Sequence, residues 1–368
     1  MRWGLIISLF FLVSCNQGSQ VDGLNKSDEK QFSIVHEKGL TILEVGVPFN
    51  AAQQAEKYVL YDKGTEKPKN IDGVTHFVPV PVERVGITST THLGFLNGLK
   101  KQNVIKAATN LNLFYDTTFL DEIENGEVVF IGGRKLETEA VIKENLDVLF
   151  AYAIDGGDYQ ELNRLRELGA TVILASEFME KEPLSKSAWI KFFANFFDEQ
   201  TIKLADSVYY EIESSYENTR SLAAKAESKP TVMVGYPWKG SWYVSGGNSF
   251  QANYFKHSNA VYLWEALSQE GSVPLATEKV VEDALDAQFW INPGSIQNLA
   301  RFDPIYQQFS AFKKRKVYSN YAMTNRFGAN DYWESGALSS DKILKDLVHI
   351  FHPELLPNHS LIYYKLVE

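Results

Sequence analysis

From Asp198 to Lys229 apolar residues recur at three- and four-residue steps: Ile202, Ala205, Val208, Tyr209, Ile212 and Tyr216. Lys203, Asp206, Glu211, Glu213 and Glu217 fall on the opposite side, and the spacing predicts one long amphipathic helix. Asp198 suits the N-cap, Glu199 favours the helix N-terminus, and Lys225, Lys229 and Pro230 suit and then stop the C-terminus. No Gly or Pro interrupts the run. At ~1.5 Å per residue it would span roughly 40–45 Å, enough to join two domains side by side.

The flanks have a different rhythm. Phe32–Val35, Thr41–Val45 and Tyr58–Tyr61, with a turn at Lys38-Gly39, predict a small antiparallel leader sheet. Then come short buried strands followed by helices: Arg84–Ile87 before the hydroxyl caps Ser89, Thr90 and Thr91 and a helix His92–Leu99; Asn103–Ile105 with Ala107-Ala108; Val128–Gly132; Asp147–Ala151; and Thr171–Leu174. Helical patterns lie at Glu137–Glu144 and Tyr159–Leu168, the second closed by Gly169. Past the long helix the rhythm returns with Thr231–Gly235, a helix Ser249–Lys256, Phe289–Ile291 and Lys316–Tyr318. The expected fold class is therefore α/β, two α/β lobes joined by one long rigid backbone helix, with a ligand cleft between the lobes. The boundaries expected are a leader at 1–15, a tether at 16–30, an N-terminal lobe at 31–184, a linker region with the long helix at 185–229, and a C-terminal lobe at 230–368.

Composition narrows the function. A chain of 368 residues, 45% hydrophobic and 22% charged, can bury two cores. A formal charge of −10 argues against general attraction to nucleic acid. Cys15 is the only cysteine, which excludes an internal disulfide framework, a cysteine zinc site and a thiol nucleophile in the folded body. Arg2, the apolar run Trp3–Val13 and Leu12-Val13-Ser14-Cys15 read as a lipoprotein signal peptide, so lipidated Cys15 becomes the mature N-terminus and anchors an extracytoplasmic body at a membrane surface. Asn16–Lys30 reads as the flexible tether.

Four groups of residues carry a resemblance. They are Val82–His92; Glu139 ahead of Leu146–Leu149; Glu180–Leu184 before Ala188–Lys191; and Asp331–Gly336 before Ile343–Leu347 with His352-Pro353. Together, over about residues 40 to 355, they resemble the helical-backbone (class III) substrate-binding lipoproteins of ABC importers for iron-siderophores, haem and cobalamin. The resemblance implies a non-catalytic monomer with no cofactor of its own. It would capture a bulky metal chelate, an iron-siderophore or cobalamin-like compound or alternatively haem, for an ABC permease and its ATPase. Permease docking in this family uses exposed acidic residues on each lobe, for which Glu161 and Glu265 are the candidates; Lys256 lies near the position expected for the second-lobe carboxylate.

In open α/β sheets ligands lie beyond the carboxyl ends of the strands. The loops there offer Ser89, Thr90, Tyr115, Arg134, Tyr152 and Asp155 in the first lobe, and Trp238, Trp242, Tyr243, Tyr321, Arg326, Tyr332 and Trp333 in the second, with Tyr236 and Asn292 nearby. The segment Tyr236–Trp242, holding Pro237 and Gly240, reads as a loop. Such aromatics suit a large amphipathic ligand. Haem-holding members place a Tyr where this chain has Gly132-Gly133-Arg134, leaving Tyr115 or Tyr321 as substitutes. For cobalamin binders, Tyr152 and Asp331-Tyr332-Trp333-Glu334 match the family pattern, with Ser335 in place of its Arg. For siderophore binders, Arg134 or Arg326 would meet anionic oxygens. Zinc capture would draw on His349 and His352 at i, i+3 spacing, and His92 could touch a ligand or support its helix start. A carboxylate-based hydrolase, using Asp155 and Asp158 or the group Glu177, Glu180 and Glu182, is the alternative from another class, although no nucleophile elbow, phosphate loop or dinucleotide fingerprint is present.

Overall fold

A computed structural model describes residues 30–69, 71–294 and 304–367. The expected signal peptide with Cys15, and the tether through residue 29, lie outside the described residues. Strands β1 (Phe32–Glu37), β2 (Leu40–Val45), β3 (Glu56–Asp62) and β4 (His76–Val80) form the leader sheet in that order. The first three are antiparallel as expected, but β4 joins parallel to β3. Pro79 kept it from view, and a proline is tolerated because β4 is an edge strand.

The first lobe continues with β5 (Val85–Ile87), α1 (Thr90–Gly98), β6 (Ile105–Ala108), α2 (Thr117–Glu124), β7 (Val129–Phe130), α3 (Thr138–Lys143), β8 (Val148–Ala151), α4 (Gly156–Glu167) and β9 (Val172–Leu174). The strands make a parallel sheet in the order β7-β6-β5-β8-β9, so chain direction across the sheet reverses at β5. A loop beside such a reversal is where open α/β sheets leave a crevice.

Helices α5 (Pro183–Ser187) and α6 (Trp189–Ala194) lead into α7 (Glu199–Ala223). Asp198 is its N-cap, accepting from the Thr201 amide at 2.9 Å. The helix stops at Ala223, six residues short of the expected Lys229. Its end is made by tight bonds from the amides of Lys225 and Ala226 to the carbonyls of Leu222 and Ala223, while Pro230 restricts only Lys229 before it. Its 25 residues span about 37 Å. Ala205 and Tyr209 are buried in the first lobe's core, whereas Tyr216 and Ala223 belong to the second. The first core also runs past residue 184, because Ala188 to Phe197 pack into it around Trp189; the lobe boundary falls inside α7 rather than ahead of α5.

The second lobe holds β10 (Thr231–Val234), β11 (Tyr236–Trp238), β12 (Ser241–Ser245), α8 (Phe250–His257), β13 (Val261–Tyr262), β14 (Ser272–Ala276), α9 (Thr277–Ala284), β15 (Phe289–Ile291), β16 (Val317–Ser319) and β17 (Lys365–Leu366). A five-stranded sheet runs β13-β10-β15-β16-β17, parallel except for β17, and a separate antiparallel sheet runs β11-β12-β14. The C-terminal helix Ser340–Phe351 packs on α7, where the Ser215 hydroxyl donates to Asp341 Oδ2 at 2.7 Å. From the same helix, fully buried Asp346 accepts the amides of Ile362, Tyr363 and Tyr364, pinning the chain's last turn to the lobe.

The expected loop at Tyr236–Trp242 is instead a hairpin. Lys239 and Gly240 have φ of 50° and 83°, the left-handed pair that a two-residue type I′ turn demands and whose twist matches the strands. Gly235, with φ of 82°, lets the hairpin start against β12: an added Cβ would sit 1.8 Å from the Tyr243 carbonyl oxygen.

Candidate functional site

Strand alternation on the hairpin sorts its aromatics. Tyr236 pairs directly with Tyr243, and Pro237 with Trp242. Tyr236, Trp238 and Tyr243 are 38%, 56% and 38% exposed on one face, while Trp242 and Val244 point into the core from the other. Trp242 is thus a correction to the expected site: it is fully buried against Trp290, Tyr306 and Phe309, with its Nε1 donating to the Val234 carbonyl at 2.9 Å.

The exposed face walls a cavity of about 480 Å³ at the carboxyl ends of β10, β15 and β16. Of the candidate ligand residues, Trp238, Tyr243, Tyr321, Tyr332 and Trp333 line it, together with Tyr236. Asn292, one residue past β15, and Asn320, one past β16, join them; the rule of reading each loop after a strand reaches both. Ser272 arrives from β14, a strand without a clear apolar run, and carried no sequence signal. Tyr332 is buried and its hydroxyl is pushed up to about 12 by that burial, with Tyr364 bonded beside it. Burial also raises Tyr321.

The first lobe contributes a smaller hollow of about 50 Å³ at the ends of β5, β6, β7 and β8. Of the candidate ligand residues, Arg134 and Tyr152 line it, with Thr88, Asn110, Asp158 and Glu161. Tyr152 packs edge-on to Phe178 at 6.1 Å; burial and then Asp158 raise its pKa, against an opposing pull from Arg134. Asp155 is not in this lining. It caps α4, accepting from the amides of Gly157 and Asp158 at 2.8 and 3.1 Å, and Ser89 likewise caps α1. Glu161, expected on an exposed docking face, is half-buried and accepts the Leu136 amide at 2.9 Å, which ties it to the hollow's wall; Glu265 is exposed beyond β13.

The two lobes meet where the Thr90 hydroxyl, which lines neither hollow, donates to the Trp333 carbonyl at 2.8 Å. Behind that bond the lobes are joined by Glu334, only 2% exposed, whose carboxylate oxygens accept the amides of Tyr115 and Asp116 at 2.8 and 2.9 Å. Burial raises Glu334 to about 7, opposed by those two amide bonds and reinforced by Asp331 and Asp116. Asn325 adds a bond to the Phe114 carbonyl at 2.9 Å. Gly94 is what lets α1 approach so closely, since a Cβ there would lie 2.2 Å from the Glu334 carbonyl oxygen. Tyr115 therefore lies on this polar seam rather than in the aromatic cavity, and Arg326, on the same side, is exposed and spends its guanidinium on Glu124 at 2.9 Å.

The candidate metal and carboxylate groups do other work. His352 Nε2 meets the Ser258 carbonyl at 3.1 Å and His349 Nδ1 the Leu356 carbonyl at 2.9 Å, each fixing the end of the C-terminal helix. His92 is wholly buried beside Phe193, with no surface open to a ligand, and burial lowers its pKa to about 3. Among the described residues no three His, Cys, Asp or Glu side chains gather as a metal-ion site. Glu177 takes the Thr91 hydroxyl at 2.6 Å, and Glu180 takes the Gln31 amide and Trp189 Nε1.

No protein-family profile matches the chain. An uncharacterized lipoprotein of Methanocaldococcus jannaschii is 27% identical over 290 residues, 75% of this chain and 67% of the relative. Among solved structures, the triscatecholate siderophore binding protein of Bacillus subtilis, complexed with ferri-bacillibactin, superposes with a TM-score of 0.58 at 16% identity, covering 79% of this chain and all of that one. This is the helical-backbone (class III) binding-protein fold. Two further structures share it: a periplasmic haem binding protein from Pseudomonas aeruginosa (TM-score 0.58, 13% identity, 78% and 98% covered) and the periplasmic vitamin B12 binding protein of Vibrio cholerae (0.54, 12%, 76% and 100%). In the helical-backbone fold α7 is the spine, and the aromatic cavity lies beside the lobe seam.

Proposed function

We propose that this chain is the extracytoplasmic, lipid-anchored substrate-binding component of an ABC importer. It captures a bulky metal chelate, a ferric siderophore or cobalamin-like compound or alternatively haem, and delivers it unchanged to a permease. The observation that carries the reading is the wall of Tyr236, Trp238, Tyr243 and Trp333, four large rings left partly exposed on one side of a cavity at the strand ends. Leaving such rings in water is unfavourable unless a ligand covers them, and rings give contact area at low conformational cost. Tyr152 and Arg134 supply the facing side from the first lobe. Lipidation at Cys15 fits the lipoprotein name of the archaeal relative, and no helix of the described residues is long and apolar enough to cross a membrane. Glu265 is the remaining candidate for permease docking.

The test is native mass spectrometry and tryptophan-fluorescence titration of the purified mature protein against haem, cobalamin and ferric siderophores. One of them binds at 1:1 stoichiometry and is recovered chemically intact. Failure of all of them to bind, or turnover of the bound compound, overturns the proposal.

A further inference from the structure

The charge of the two hollows is uneven in a way that bears on what they can hold. Among the described residues, none of the sixteen that line the aromatic cavity is Asp, Glu, Lys, Arg or His. Its polar groups are the amides of Gln251, Asn292 and Asn320 and the hydroxyls of Ser245, Ser272 and the tyrosines. Two lysines abut this wall, but each lies over an aromatic ring, Lys186 over Phe250 at 5.1 Å and Lys239 over Trp238 at 5.8 Å. The first-lobe hollow holds one cation, Arg134, against two carboxylates, Asp158 and Glu161. Next to the aromatic cavity, one residue past Trp333, runs the acidic seam of Glu334, Asp331 and Asp116. A polyanionic chelate entering here would give up water and find, among the described lining residues, one guanidinium in a hollow that also holds two carboxylates, and a charge buried without compensation is costly. A neutral chelate with an amide- or hydroxyl-rich surface would instead find matching donors and acceptors, with ring faces for its apolar parts.

Building on the importer reading, we propose that the ligand is a metal chelate of zero or positive net charge with an amide-rich surface, and that the cleft discriminates against polyanionic chelates. The fold itself does not choose, since one solved structure that shares it holds a triscatecholate iron complex.

The test titrates the full mature protein with four probes: a neutral ferric trihydroxamate, an amide-bearing cobalt corrinoid, haem with its two propionates, and a ferric tris(catecholate). We expect one of the first two to bind at least about 100-fold more tightly than either anionic probe. The affinity of the neutral trihydroxamate, if it is the tighter ligand, should change less than about two-fold between roughly 0.05 and 0.5 M salt, because screening has no net ligand charge to act on. If an anionic probe binds as tightly as the neutral ones or more so, this inference is overturned while the importer reading stands. If no probe binds, both fall together.

Discussion

Alanine at Gly94 should behave opposite to an ordinary helix substitution. In an exposed helix interior, Gly→Ala stabilises by about 1 kcal/mol, because glycine loses the most backbone freedom on folding. At Gly94 the new Cβ would lie 2.2 Å from the Glu334 carbonyl oxygen and 2.8 Å from its carbonyl carbon, both backbone atoms of the opposite lobe, whereas ordinary contact begins at 3.4 Å. The two segments must therefore separate by about 1.2 Å. Displacement of that size stretches the bonds of Tyr115 and Asp116 to Glu334, now 2.8 and 2.9 Å, towards 4 Å and beyond useful range. Overpacking costs about 1–3 kcal/mol and each lost bond about 1 kcal/mol, so a net loss of about 3 kcal/mol is expected. Gly156→Ala is the internal control, because that glycine opens α4 and nothing lies within 4 Å of its added Cβ. Denaturant unfolding of both variants, with solution scattering for lobe separation, makes the comparison. Equal stability and equal radius of gyration for the two variants would refute the account of the seam.

Glu334 should make the seam pH-sensitive. Its folded pKa of about 7 lies above the ordinary 4.5, so the closed form gains a proton; the stability this group contributes is complete below about pH 4.5 and lost as pH rises through 7. The shift corresponds to at most about 3 kcal/mol; Glu334→Gln should flatten the pH 5–8 part of the unfolding profile, and an unchanged profile would remove Glu334 as its source. Trp238→Ala and Trp242→Ala should separate binding from folding: the first costs about 2 kcal/mol of ligand affinity with little change in melting temperature. The second, with its ring fully buried, costs about 3–5 kcal/mol of stability, and a swap of these two outcomes would reverse the assignment of the hairpin's faces. Cys15→Ala should move the protein out of the detergent phase on phase partitioning; persistence there would mean that something other than an acyl chain holds it.

The short parallel strands were legible because Val148–Ala151, Val172–Leu174 and Phe289–Ile291 are unbroken apolar runs, the mark of strands covered on both faces. The start of α7 was legible for a local reason too, the carboxylate of Asp198 one residue ahead of the first helical turn. Its end was not, since the last bonds are made by backbone alone and leave no side-chain mark. The hairpin escaped because Pro237 and Gly240 each look like a breaker in isolation. Taken with the alternation of Tyr236, Trp238, Trp242 and Val244 they spell a type I′ turn, and that pattern would also have separated buried Trp242 from the cavity wall. The seam belongs to another category: Glu334 meets amides 218 and 219 positions away, a pairing no local pattern encodes.

A single helix that supplies Ala205 and Tyr209 to one core and Tyr216 and Ala223 to the other cannot be allotted to either. Severing the chain before Glu199 strips the first lobe of its packing partner, and severing it after Ala223 leaves an apolar stripe facing water. Neither half is then a self-sufficient folding unit, and fraying that begins in one lobe propagates down the helix into its neighbour. Melting should be one cooperative event despite two separate cores, and grafting of a lobe between relatives should succeed only when the helix travels with both.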